Sequence, residues 1–158
     1  MAKLTQTELK VLASEIQSRV SNILSEKRKK IEDSAEYKNF EKNFDKEEIG
    51  KLFNDVIEAS AKLELVLAKE GYVFNKYEPK LSERAISNKN QYVDTLRNKL
   101  FPFPKIELEG VKINQWRTSN ITPYDYALHQ LNLEQLTTNS NVSEVIDKLV
   151  NALLKKII

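Results

Sequence analysis

The only histidine of the chain, His129, follows Asp125 by four residues. On a helix this spacing places both side chains on one face, where a carboxylate can orient an imidazole for general-base catalysis. Tyr124, Tyr126 and Gln130 add hydrogen-bonding groups beside them. Catalysis also needs a nucleophile or bound water and a site for the developing negative charge, and no motif of the chain provides one. The sequence therefore favours a polar or interfacial histidine over a catalytic one.

The composition closes most other routes to chemistry. The chain of 158 residues has no cysteine, one histidine and 3 glycines, which excludes disulfides and cysteine-based zinc sites and leaves too few glycines for phosphate-binding loops. Acidic pairs such as Glu47/Glu48 and Glu107/Glu109 lack metal-site spacing and are typical of a solvated surface. We expect no catalytic residue, no metal site and no cofactor, and therefore a protein that is not an enzyme.

One basic run interleaves with aromatic residues in a way that suits nucleic acid. Single-stranded nucleic acids are bound by cations for the phosphates and rings for base stacking, and Tyr37, Phe40 and Phe44 supply rings beside the run. Against this, cations in the last turn of a helix favour its dipole, rings at helical spacing normally face a core, and the net charge is only +2. Nucleic-acid binding is therefore the alternative, with Lys27, Arg28, Lys29, Lys30, Lys38 and Lys42 as its residues.

A second set of candidates is large and apolar or aromatic. Such side chains dominate protein interfaces because they bury much area at little entropic cost, although the rings could instead plug the core of the protein itself. The C-terminus and the N-terminal helix also carry more apolar surface than one domain readily covers, which favours a protein partner or a homo-oligomer. The candidate interaction residues are Phe101, Phe103, Trp116, Arg117, Leu153, Leu154, Ile157 and Ile158.

Capping signals and apolar periodicity predict the elements that position these residues. Thr5 and Glu8 have the spacing of a capping box, and apolar residues then recur in steps of three and four, which predicts one helix over 5–32, about 40 Å long. The strongest pattern predicts a helix over 46–70 that Gly71 ends, with a cap at 45–48. Further helices are expected after the cap at 33–36, over 81–86 and 88–100, after Thr122-Pro123 and after Asn141.

Two segments near residue 110 alternate polar and apolar residues around Glu109-Gly110, which predicts a β-hairpin over about 105–116. No repeat or flexible linker divides the chain. The sequence thus predicts a mainly α protein of a single domain, 1–158. We expect a helical bundle in which a long N-terminal helix, 1–32, pairs with the 46–70 helix or projects from a body, 33–158, that carries one small β-hairpin.

These expectations favour a contact-making protein. No apolar stretch approaches the roughly 20 residues of a membrane span, and the N-terminus lacks the apolar region of a secretory signal, so we expect a cytoplasmic chain without a membrane partner. Abundant Lys, Asn and Ile indicate an AT-rich genome, such as that of a low-GC bacterium or its phage, which would place the protein in the host cytoplasm or the virion. The predicted function is non-enzymatic protein–protein interaction or assembly.

Overall fold

The computed structural model describes residues 1–108, 111, 113 and 120–158, which fall into two compact units. Unit 1 joins Met1–Lys30 to Pro104–Ile158, and unit 2 is Ile31–Phe103. The mainly helical, bundle-like fold that the sequence predicts is confirmed. The single domain expected over 1–158 stays a prediction. The helices of the described residues are α1 (Gln6–Glu32), α2 (Ala35–Asn43), α3 (Glu48–Lys69), α4 (Leu81–Leu100), α5 (Pro123–Glu134) and α6 (Val142–Leu154).

Local side-chain caps start the helices of unit 1 where the sequence predicts. The Thr5 amide donates to Glu8 Oε2 at 2.7 Å, and the Glu8 amide donates to Thr5 Oγ1 at 3.2 Å. Thr122 and Asp125 form the same reciprocal pair at the start of α5, with Pro123 in the first turn. The Glu144 amide donates to the Asn141 side chain at the start of α6. These contacts satisfy amides that have no partner inside a helix.

The core of unit 1 brings α1 together with α5 and α6. Ile16 and Val20 of α1, Leu131 of α5 and Leu153 of α6 are fully buried in one cluster. The buried residues of the α1 apolar stripe therefore pack with α5 and α6, and the pairing with the 46–70 helix that the sequence predicts stays a prediction. The broad apolar surface of α6 favours its packing with α1, because it offers α1 more area than a narrow stripe would.

The first arm of the predicted hairpin pairs with the C-terminus. The amides of Lys105 and Ile158 each donate to the other residue's carbonyl, and the Glu107 amide donates to the Lys156 carbonyl at 2.9 Å. Ile106 and Ile157 thereby form an antiparallel bridge. The β-hairpin is not confirmed, since the described residues contain no strand, and its turn and most of its second arm lie outside them.

Unit 2 is built on an antiparallel helical pair, α3 and α4. Near one end of the pair, the Glu64 carboxylate accepts from the Ser82 amide at 2.6 Å and from its hydroxyl at 2.8 Å. The prediction of two short helices over 81–100 was wrong, because α4 is continuous from Leu81 to Leu100. The segment around residue 88 contains no proline or glycine that would break it. Before α4, 72–77 is a loop.

Glycines shape both ends of α3. Gly71 has φ +86°, and the amides of Gly71 and Tyr72 donate to the carbonyls of Ala68 and Leu67, a Schellman motif that confirms the predicted stop. At the start, a 3₁₀ turn, Phe44–Lys46, precedes the helix, and no side chain caps it. Gly50 is buried there, and it packs so closely on the preceding turn that a Cβ would lie 1.9 Å from the Phe44 carbonyl oxygen.

None of the helices in the described parts of the chain combines the length and the apolarity needed to cross a membrane.

Candidate protein interaction surface

Unit 2 covers little of its apolar surface. Of residues 31–103, all of which the structure describes, only Phe44, Gly50 and Ala85 are buried. Unit 1, in contrast, buries a cluster drawn from three helices. Burial of apolar surface is the dominant favourable contribution to folding and association. The exposed apolar residues of unit 2 are therefore candidates for a binding surface.

The helix α3 carries two apolar rows. The row that includes Phe53, Ile57 and Leu67 is half-buried on the side of α4. The second row, which we call the α3 stripe, is exposed and has alternating spacings of three and four residues, which is the heptad pattern of helix-on-helix packing. The α3 stripe consists of Ile49, Leu52, Val56, Ala59, Leu63 and Val66.

The large residues of the α3 stripe keep about half of their surface in contact with solvent. The exposed fraction lies between 44% for Ile49 and 56% for Val56. At 1.5 Å per residue the stripe is about 26 Å long. Five large apolar side chains in one straight row form a continuous patch, unlike the isolated apolar residues that are normal on a protein surface.

A groove of about 330 Å³ lies at the N-terminal half of the stripe. Ile49, Leu52 and Val56 form its floor together with Phe53, and Tyr92 of α4 forms one wall. The rings of Phe53 and Tyr92 pack with centroids 5.3 Å apart. The lining contains no charged side chain and no polar group besides the tyrosine hydroxyl, so the groove suits an apolar side chain rather than a polar small molecule.

Polar contacts fix how α3 sits against α4. The Lys89 ammonium of α4 lies 2.6 Å from Asp45 Oδ1 and 2.8 Å from Asn54 Oδ1. Hydrogen bonding to Lys89 holds the pKa of Asp45 below its ordinary value of 3.8. At the other end of the pair, hydrogen bonding from the Ser82 amide lowers the pKa of Glu64. These contacts at both ends of the pair orient α3 so that its stripe faces solvent.

Phe101 and Phe103, predicted as interaction residues, pack inside unit 2. The Phe101 ring lies 5.3 Å from that of Tyr37 and 5.8 Å from that of Phe40, and Phe103 lies 6.3 Å from Tyr37. The rings of Phe40 and Phe44 are 6.1 Å apart. The rings considered for base stacking thus contact one another, and they are half-buried except for Phe44, which is buried.

The apolar C-terminus is covered largely within unit 1. Leu153 is fully buried, Leu154 packs against the same cluster and Ile157 bridges to Ile106, while Ile158 remains 66% exposed and pairs through its backbone with Lys105. Of these four candidate interaction residues only Ile158 is exposed, so this end of the chain offers less apolar surface than α3. Trp116 and Arg117 lie outside the described residues.

The sequence predicts that the 46–70 helix pairs with the N-terminal helix and does not single out the α3 stripe as an exposed surface. The sequence signal of a second apolar row on this helix is the width of the pattern: Leu52 and Phe53 are adjacent, as are Val56 and Ile57. Adjacent residues on a helix point about 100° apart, so one neighbouring helix cannot cover both. Two apolar rows at heptad spacing require two partners, and the structure supplies one.

The basic candidates are exposed but divided between the two units. Residues 27–30 lie in the last turns of α1 within unit 1, and Lys38 and Lys42 lie on α2 in unit 2. The lysines of the run complement the C-terminal end of the α1 dipole, as the structural interpretation of the sequence expects.

The Asp125 carboxylate, considered in the sequence as the group that orients His129, also has a structural role. Asp125 Oδ2 accepts from the Thr122 amide at 3.1 Å, so this carboxylate caps α5. His129 is half-buried on the same helix. The described residues contain no group of three or more potential metal ligands.

A basic depression of about 590 Å³ also lies on unit 1, lined by Tyr126, Lys148, Asn151, Ala152, Lys155 and Lys156. It adjoins the C-terminal end of α6, where the negative end of the helix dipole opposes an anion. The Lys148 ammonium is 3.2 Å from a Glu134 carboxylate oxygen, which offsets its charge. The depression therefore makes a weaker binding site than the α3 stripe.

No protein-family model, no curated protein and no solved structure matches this chain.

Proposed function

We propose that this chain is a non-enzymatic protein–protein interaction or assembly protein that binds a partner helix along the α3 stripe. The observation that supports the proposal is the straight row of exposed apolar residues at heptad spacing on a unit that buries only three of its own residues. Heptad spacing matches the surface of another helix, because side chains of the partner can insert between successive stripe residues.

The size of the stripe fits a reversible interaction. Full burial of a valine, leucine or isoleucine contributes about 1.5–3 kcal/mol, so a half-exposed residue has about 1 kcal/mol still to gain. Five such residues and an equal contribution from the partner give about 10 kcal/mol. Association costs about 4–15 kcal/mol in lost freedom. The net affinity is therefore modest, which suits an assembly that forms and dissociates.

Site-specific photo-cross-linking in cells tests the proposal. A photoreactive amino acid at Val56, within the stripe, should form a protein adduct whose partner peptide is identified by mass spectrometry. The same amino acid at Ala68, which is exposed on α3 but lies outside the stripe, is the matched control. The adduct should disappear when Leu63→Glu is added. Absence of any protein adduct at Val56 would overturn the proposal.

Nucleic-acid binding remains the second candidate, supported by the exposed run at 27–30. Such binding would be electrostatic and would weaken steeply with salt. The abundance of Lys, Asn and Ile supports the further proposal of a phage or low-GC bacterial source, and with it a location in the host cytoplasm or the virion.

A further inference from the structure

Four charged residues lie along one edge of the α3 stripe, with the two acidic residues before the two basic ones. Three of them directly precede a residue of the α3 stripe, and the fourth follows the third by seven residues. Together they form a row parallel to the stripe. We call this the charged row. Its first half is acidic and its second half is basic, and all four side chains are exposed. The charged row consists of Glu48, Asp55, Lys62 and Lys69.

We infer that the partner helix on the α3 stripe is α3 of a second copy of this chain, running antiparallel. This inference rests on the proposed function and names its partner. In an antiparallel pair of heptad helices, the charged row of one helix lies beside the same row of the other. Glu48 then faces Lys69 of the partner subunit, and Asp55 faces Lys62 of the partner subunit.

The two pairings describe one register. The residue numbers sum to 117 in both pairs, 48 with 69 and 55 with 62, so a single two-fold axis near residue 58 generates them. Within the stripe, Leu52 faces Leu63 of the partner subunit in nearly the same register. A parallel pair would instead place the charged row beside the row of Phe53, Ser60 and Leu67 of the partner subunit, which carries no charge. Charge complementarity therefore selects the antiparallel arrangement.

The opposite edge of the stripe supports the same arrangement. On that edge, α3 packs on α4. The Tyr92 side chain of α4 lies beside the stripe and forms one wall of the groove. An antiparallel pair that brings the charged rows together on one side brings the two α4 helices together on the other. Four antiparallel helices then surround the grooves, as in a four-helix bundle. The self-pairing covers the stripe and both grooves at once.

Charge reversal tests the pairing. An all-acidic row, K62E/K69E, and an all-basic row, E48K/D55K, should each weaken self-association about 10- to 100-fold, because attraction at four symmetric positions becomes repulsion. An equimolar mixture of the two variants should restore the dimer as a heterodimer, measured by native mass spectrometry. K10E/K76E, which changes the net charge as K62E/K69E does but at exposed sites outside the row, should dimerise like the wild type.

Cysteine cross-linking tests the direction in a chain that has no cysteine of its own. A mixture of E48C and K69C should form mainly the mixed 48–69 disulfide. Predominant 48–48 and 69–69 disulfides, or a heterodimer that fails to form from the charge variants, would overturn the antiparallel pairing. A wild-type chain that stays monomeric at the highest soluble concentration would overturn self-pairing, whereas the Val56 adduct with another protein would still support the proposed function.

Discussion

Leu52→Glu is the most direct perturbation of the α3 stripe. Leu52 is 55% exposed in the groove beside Tyr92, so glutamate can occupy this position on the isolated chain without disturbing a packed core. Leu65 provides the matched control, because it lies on the same helix, is 65% exposed and is outside the stripe. We expect Leu52→Glu to abolish association and Leu65→Glu to leave it unchanged.

The expected magnitude follows from burial. The leucine forfeits about 1 kcal/mol of apolar burial, and an unpaired buried carboxylate costs at least about 1–3 kcal/mol. One substituted side chain therefore weakens the complex by roughly 2–4 kcal/mol. A symmetric dimer carries the change twice, roughly 4–8 kcal/mol, which raises the dissociation constant at least about a thousandfold. An exposed substitution outside the interface should change it by less than about 0.5 kcal/mol.

Sedimentation equilibrium of both variants and the wild type measures these constants, and circular dichroism checks that the helix content is unchanged. A partner other than a second copy receives the change only once, so its affinity should fall by the smaller amount. Equal dissociation constants for Leu52→Glu and Leu65→Glu would refute the assignment of the stripe as the binding surface.

Three further predictions concern the rest of the chain. Gly50→Ala should destabilise unit 2 by about 1–3 kcal/mol in urea unfolding, because its Cβ would collide with the Phe44 carbonyl; a more stable variant would contradict the close approach. The Ser82 amide lowers the folded-state pKa of Glu64, so this contact contributes fully above the ordinary value of 4.5 and is lost as pH falls through the lowered pKa. Glu64→Gln should therefore flatten the acidic side of the urea midpoint against pH, and an unchanged profile would refute the contact. Replacing residues 27–30 with glutamate should abolish retention on an immobilised oligonucleotide if the chain binds nucleic acid, and unchanged retention would remove that alternative.

The sequence by itself determined the helices and most of their ends. The Thr5–Glu8 and Thr122–Asp125 boxes and the stop at Gly71 depend on hydrogen bonds between residues no more than five apart. Such contacts form from local chemistry whatever the rest of the chain does. The candidate site depends on contacts between distant residues. The apolar row on α3 is visible in the sequence, but its exposure to solvent is not.

Only the tertiary structure decided which apolar surfaces find a partner within the chain. Ile106 pairs with Ile157 of the C-terminus, and α1 packs with α5 and α6, contacts between segments far apart in sequence. Several apolar segments compete for each such contact, and periodicity shows that a face needs cover without showing what covers it. The second row of α3 remains uncovered because α4 occupies the neighbouring face and one helix cannot cover both.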